Sequence, residues 1–175
     1  MEVSQDIKSR AEAFRREFLF GLTSATEVVA WADSVITAEE EPDISIIELA
    51  MAGNRGAAEI VHLLAAIPGE PSDGMVRHLV FCRMRDVLRA QPDRLRRLGS
   101  IFLSLASERF APTEDAVNEM YALEDRLELA RGGIFGDLEE IRRDTQAFLD
   151  RVTLPSPALE SAERVGRFAP SRVRR

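Results

Sequence analysis

The chain has 175 residues, 45% of them hydrophobic, and a formal net charge of −7. That is enough apolar material for one core without a disulfide or metal staple. Its one cysteine, Cys82, excludes an intramolecular disulfide, no apolar run approaches the roughly 20 residues of a membrane span, and the negative balance disfavours nonspecific binding to nucleic acid or anionic lipid.

Apolar residues recur every three or four positions along most of the chain, and no alternating strand pattern appears. The spacing predicts an all-α fold, a single-domain bundle or short stack of about eight helices over residues 1–153. Val3, Ile7, Ala11, Phe14 and Phe18 line a first helix that Gly21 ends. Ser24 and Glu27 make a capping box, so each side chain satisfies a backbone N–H of the other residue. The helix that follows buries Val28, Val29, Ala32, Val35 and Ile36, with Trp31 at the edge of the stripe.

Pro42 interrupts this pattern, and Ser45 with Glu48 repeats the capping spacing before a short helix, about 46–52, that stops at Gly53. Asn54 is the predicted cap of the next helix, where Ala57, Ile60, Val61, Leu64 and Ile67 share a face. Pro68, Gly69, Pro71 and Gly74 mark a loop. A helix of about 75–90 ends before Pro92, and Asp93 starts another with Leu95, Leu98, Ile101, Phe102 and Leu105 inward. Thr113 opens a helix with Ala116, Met120, Leu123 and Leu127 inward, closed by Gly132 and Gly133. Asp137 and Glu140 repeat the capping signal ahead of Leu138, Ile141, Thr145, Phe148 and Val152. From 154 onward, Pro155, Pro157 and Pro170 among Ser, Ala and Arg predict a flexible tail, 154–175.

Charge is segregated along the chain. Seven arginines face only Asp86 and Asp93 between Arg77 and Arg97, whereas twelve acids face five arginines between Glu108 and Asp150. The densest acidic run is Glu39, Glu40, Glu41 and Asp43, at a corner between two helices. A second group is Glu119, Glu124, Asp125 and Glu128.

Chemistry-bearing motifs are sparse. His78 and Cys82 share a helix face, but two ligands fall short of the three or four a metal site uses, so neither metal nor cofactor is expected. His78, Cys82, Arg85 and Arg89 fall on one stripe, where cations lower a thiol pKa and can grip a phosphate or carboxylate. No general base or oxyanion element accompanies the thiol, which reads as a small residue at a core border. Glu139 and Arg143 are spaced as an i,i+4 ion pair. The glycines of 51–56 and 131–136 lack a Walker lysine and a preceding strand. No enzyme is expected. The N-terminal MEVSQDIKSR has neither an apolar h-region nor a cleavage site, which predicts no secretory signal and a cytoplasmic protein.

Phe20-Gly-Leu, Glu27-Val-Val-Ala-Trp-Ala-Asp33, Pro42 and Ile47-Glu48-Leu49, followed by the Leu123–Phe148 ending, resemble small bacterial helical proteins of the polymorphic-toxin immunity type. The resemblance extends over most of the first 150 residues. It implies binding and neutralisation of a cognate protein toxin in the cytoplasm, with no catalytic residue. An acidic face suits such a role, because it speeds encounter with a basic toxin and blocks the path of its substrate. The candidate partner-binding residues are Trp31, Asp33, Glu39, Glu40, Glu41 and Asp43. The alternative is a regulatory or adaptor module that engages an acidic partner through the arginines of 77–97 or the basic tail.

Overall fold

The computed structural model describes residues 2–154. Of the predicted tail, 154–175, only Leu154 is described; residues 155–175 and the side chain of Val3 lie outside the described residues. Among the described residues there are eight α-helices and no strand: α1 (Glu2–Leu19), α2 (Ala25–Ala38), α3 (Ile44–Ala50), α4 (Ala57–Ala66), α5 (Asp73–Ala90), α6 (Leu95–Ser107), α7 (Glu114–Arg131) and α8 (Leu138–Val152). None of them is long and apolar enough to cross a membrane.

Most helix starts obey the chemistry of their first turn. Ser24 and Glu27 form the full capping box of α2, Thr113 Oγ1 accepts from the Ala116 N–H of α7, and Asp137 accepts from the Glu139 N–H of α8. Three starts differ from expectation. The cap of α3 is Asp43, whose Oδ1 accepts the Ser45 N–H at 2.8 Å, because a carboxylate also complements the positive helix end. Gly56, with no side chain, precedes α4, while Asn54 lies in the turn. Pro92 opens a 3-10 turn, Pro92–Arg94, where its missing N–H is harmless, and α6 begins only at Leu95.

Two apolar cores share α1. Ala11 and Phe14 join α2, α3 and α4 around Val28, Ala32, Ile46, Leu49, Ile60 and Leu64. Ala13 instead faces the core of α5–α8, where Phe148 meets Phe81 and Phe102 edge-on, with ring centroids 6.2 and 5.5 Å apart. Along α4 the buried stripe is Ile60, Leu63, Leu64 and Ile67; Ala57, expected inward, is exposed and Leu63 takes its share of the core.

Polar ties then fix the two halves. Lys8 Nζ donates to the Ala65 carbonyl at 2.9 Å, and Ser9 Oγ accepts the Ser72 N–H at 2.9 Å, which latches the α4–α5 connection onto α1. Arg83 Nε donates to Leu22 O at 2.7 Å, and Arg97 Nε to Phe20 O at 2.8 Å, so arginines of α5 and α6 hold the α1–α2 turn.

Candidate functional site

Residues 17–54 contain eight carboxylates and neither a lysine nor an arginine. Glu17 is buried and Glu27 pairs with Arg83. The other six, Asp33, Glu39, Glu40, Glu41, Asp43 and Glu48, enter no ion pair among the described residues, whereas α1, α4, α5, α7 and α8 each carry at least one paired carboxylate. Glu39 caps the C-terminus of α2 through its N–H on the Val35 carbonyl. The carboxylates of Glu39–Glu41 therefore crowd the negative end of that helix, with no basic residue in its last turn to offset them.

The structure gathers Glu39, Glu40, Glu41 and Asp43 in the short link between α2 and α3. Asp43 also has a structural task there, as the α3 cap. Trp31 and Asp33 are not brought to that link. Two residues along a helix turn the chain by about 200°, so the two side chains leave α2 on nearly opposite faces. Trp31 is half-buried against Phe14 of α1, with ring centroids 5.2 Å apart. Asp33 is exposed, and its carbonyl accepts the Thr37 hydroxyl at 2.9 Å.

Sequence reasoning missed the apolar part of this surface. Ile46 and Leu49 point α3 into the core. Ile44, Ile47, Glu48 and Met51 follow the i, i+3, i+4, i+7 rule on the opposite face. Ile44 and Met51 are both 65% exposed, and Ile47 is half-buried. The result is an apolar ridge with Glu48 within it and Glu39–Asp43 at its start. The 3–4 spacing of these residues was visible in the sequence.

Comparison of the chain with family models, with characterised proteins and with solved structures yields no match. The geometry of its own residues is therefore what bears on function.

The arginine-rich stretch is largely engaged inside the chain. Arg83 pairs with Glu27, Arg85 with Asp86 and the Thr153 hydroxyl, and Arg89 with Asp150 at 2.6 Å. Together with Arg97 on Phe20 O, these contacts occupy most of the cations that the sequence offered to an acidic partner. The second acidic group is similarly divided: Glu119 pairs with Arg151 and Glu128 with Arg131. On α8, Glu139 pairs with Arg142 at 2.8 Å rather than with Arg143, whose Nε reaches only the Glu139 carbonyl, at 3.4 Å.

Cys82 Sγ lies 3.5 Å from His78 Nε2. Burial pushes the thiol above its ordinary pKa and outweighs the nearby Arg85, so the cationic stripe does not yield a thiolate. Among the described residues, no group of three or more His, Cys, Asp or Glu is placed to hold a metal ion. Among the described residues the most displaced carboxyl is Glu17, at 1% exposure, whose two oxygens have no hydrogen-bond partner there. Burial carries its pKa up to about 7 against the opposing pull of Arg10 and Arg83.

Proposed function

We propose that this protein is a binding inhibitor of the immunity type, which neutralises a basic bacterial protein toxin in the cytoplasm by covering it with the α2–α3 surface. One observation carries the reading: Glu39, Glu40, Glu41, Asp43 and Glu48, five carboxylates with no ion pair among the described residues, accompany an apolar ridge of Ile44, Ile47 and Met51. Apolar side chains at the centre of an interface supply affinity when water is excluded, while a charged rim steers a partner of opposite sign and sets which partner is accepted. Self-repulsion in the Glu39–Glu41 run, at the wrong end of a helix dipole, is relieved when a basic surface docks on it. Occlusion of the toxin needs no catalytic group on this chain.

The test is binding to the toxin encoded beside this chain's own gene, measured by calorimetry at two salt concentrations. Replacing Glu39, Glu40 and Glu41 together by lysine should abolish binding while the helical circular dichroism stays unchanged. Replacing Ile44 and Met51 by serine should weaken binding without changing its salt dependence. Unchanged affinity in both variants would remove the α2–α3 surface from consideration.

A further inference from the structure

A cleft of about 810 Å³ opens where the first turns of α5 and α7 meet the end of α8. That volume lies in the range of small-molecule sites, roughly 300–1,000 Å³. Its apolar lining comes from Met75, Phe81, Ala116 and Val152. Two 18-residue helices present their N-terminal ends to it, and the first amides of a helix have no intrahelical acceptor. Ser72 Oγ takes only the Met75 N–H, and Thr113 Oγ1 only the Ala116 N–H.

The decisive group is Arg77. It lines the cleft and, alone among the arginines there, pairs with no carboxylate among the described residues. Its guanidinium carbon sits 5.7 Å from the centroid of the Phe110 ring, which Arg16 covers at 4.3 Å. Its Nε is buried and has no hydrogen-bond acceptor among the described residues. That nitrogen is sealed from the cleft, so the terminal nitrogens of the half-buried guanidinium are what an anion there can meet, and they have no carboxylate partner among the described residues.

The remaining charges limit what that anion can be. Arg151 is neutralised by Glu119. Asp115, also in the lining, has no arginine partner among the described residues and repels additional negative charge. The balance favours one negative group over a polyphosphate. We propose that the cleft binds an amphipathic organic monoanion: a single carboxylate or sulfonate held by Arg77 and the α5 N-terminus, with an apolar body on Phe81, Ala116 and Val152. This site is independent of the α2–α3 surface and of any toxin.

The experiment titrates the full chain with 1-anilinonaphthalene-8-sulfonate and, in parallel, with N-phenyl-1-naphthylamine, the same body without the sulfonate. The sulfonate should bind saturably at one site, about tenfold tighter than the neutral compound, the factor that one charge-assisted hydrogen bond supplies. Arg77→Gln should remove that advantage and leave the neutral compound unaffected, with folding checked by circular dichroism. Arg96→Gln, an exposed arginine outside the cleft, should change nothing. Asp115→Asn, at an exposed position, should tighten the sulfonate, which keeps the test decisive if Arg77→Gln does not fold. Equal affinity for the two compounds, no saturable site, or indifference to both Arg77→Gln and Asp115→Asn would overturn the proposal. Serine at Ile44 and Met51 should leave sulfonate binding intact, so this test and that of the toxin fail separately.

Discussion

Gly99 of α6 lies so close to Leu127 of α7 that a Cβ built on it would stand 2.5 Å from Leu127 Cδ2. Glycine is the residue that lets these two helices approach, although it weakens a helix interior by about 1 kcal/mol relative to alanine. Leu127 is 4% exposed, so for a Cβ to fit, its methyl must turn out of its packed position toward the small cavity that it lines with Leu95 and Leu138. Overpacking of this kind costs about 1–3 kcal/mol, which exceeds the propensity gain. Gly99→Ala should therefore lose about 1 kcal/mol net in urea unfolding. Combined with Leu127→Ala, the loss should be smaller than the sum of the two single losses, because the new methyl fills part of the cavity. A Gly99→Ala protein as stable as the parent would show that the contact is slack.

Glu17 makes stability depend on pH. Its carboxyl moves from an ordinary 4.5 to about 7 in the folded chain, from burial first, with Glu27 adding and Arg10 and Arg83 opposing. Between those values the folded chain holds a proton that the unfolded chain has released. Stability therefore falls as pH rises through this window and levels off above about 7. Glu17→Gln carries no such charge. It should be more stable than the parent at pH 8, by on the order of 3 kcal/mol, and equal to it near pH 4. Chemical denaturation across that range decides the point: a difference between the two proteins that does not vary with pH would mean that Glu17 is not the titrating group.

The fold was legible wherever local chemistry was sufficient. Ser24 with Glu27, Thr113 and Asp137 each announced a helix start, and the inward residues of α6 and α7 followed their spacing. Legibility ended where a distant segment decides. Asp43 and Ser45 are both good caps two residues apart, and the path of the chain after Pro42 selects Asp43. In α3 both faces are apolar, so only the packing of α2 and α4 shows that Ile46 and Leu49 are the buried pair. Arg83 and Arg97 looked available in sequence because their carbonyl acceptors lie 61 and 77 residues away. Arg109 turns the chain after α6 with φ 53, a conformation usually left to glycine, and no sequence signal marks it.

Asp43 has two possible roles that substitution can separate. As the α3 cap it accepts the Ser45 N–H, and removing such a cap typically costs about 1 kcal/mol. Asp43→Ala should therefore lower the urea midpoint. Asp43→Asn retains a capping oxygen and should stay close to the parent, while removing one charge from the acidic run. If both variants unfold alike, the carboxylate charge at the helix end outweighs the hydrogen bond. If only the alanine variant suffers, Asp43→Asn is the substitution with which to ask whether that charge contributes to binding.

Cys82 should alkylate slowly. Its thiol is half-buried and pushed above the ordinary range by burial, so the thiolate fraction at neutral pH is below that of an unstructured cysteine. Iodoacetamide at pH 7 should modify it more slowly than it modifies a cysteine peptide, and the rate should climb with pH beyond the peptide's own plateau. Faster modification at pH 7 would restore the cationic stripe of His78, Arg85 and Arg89 as an activating environment.

The two faces of α3 should respond differently to substitution. Ile46 and Leu49 are 1% and 0% exposed, and truncating either to alanine should cost about 2–5 kcal/mol. Ile44 and Met51, each 65% exposed, touch little of the core, so serine at either position should change stability by no more than about 0.5 kcal/mol. Thermal unfolding of the four single variants checks the contrast. A large loss at Ile44 or Met51 would mean that the ridge is part of the packing, and the unpaired carboxylates around it would then border a structural helix. A small loss leaves two large apolar side chains exposed on a folded helix, beside five carboxylates with no ion pair among the described residues, as the proposed interface requires.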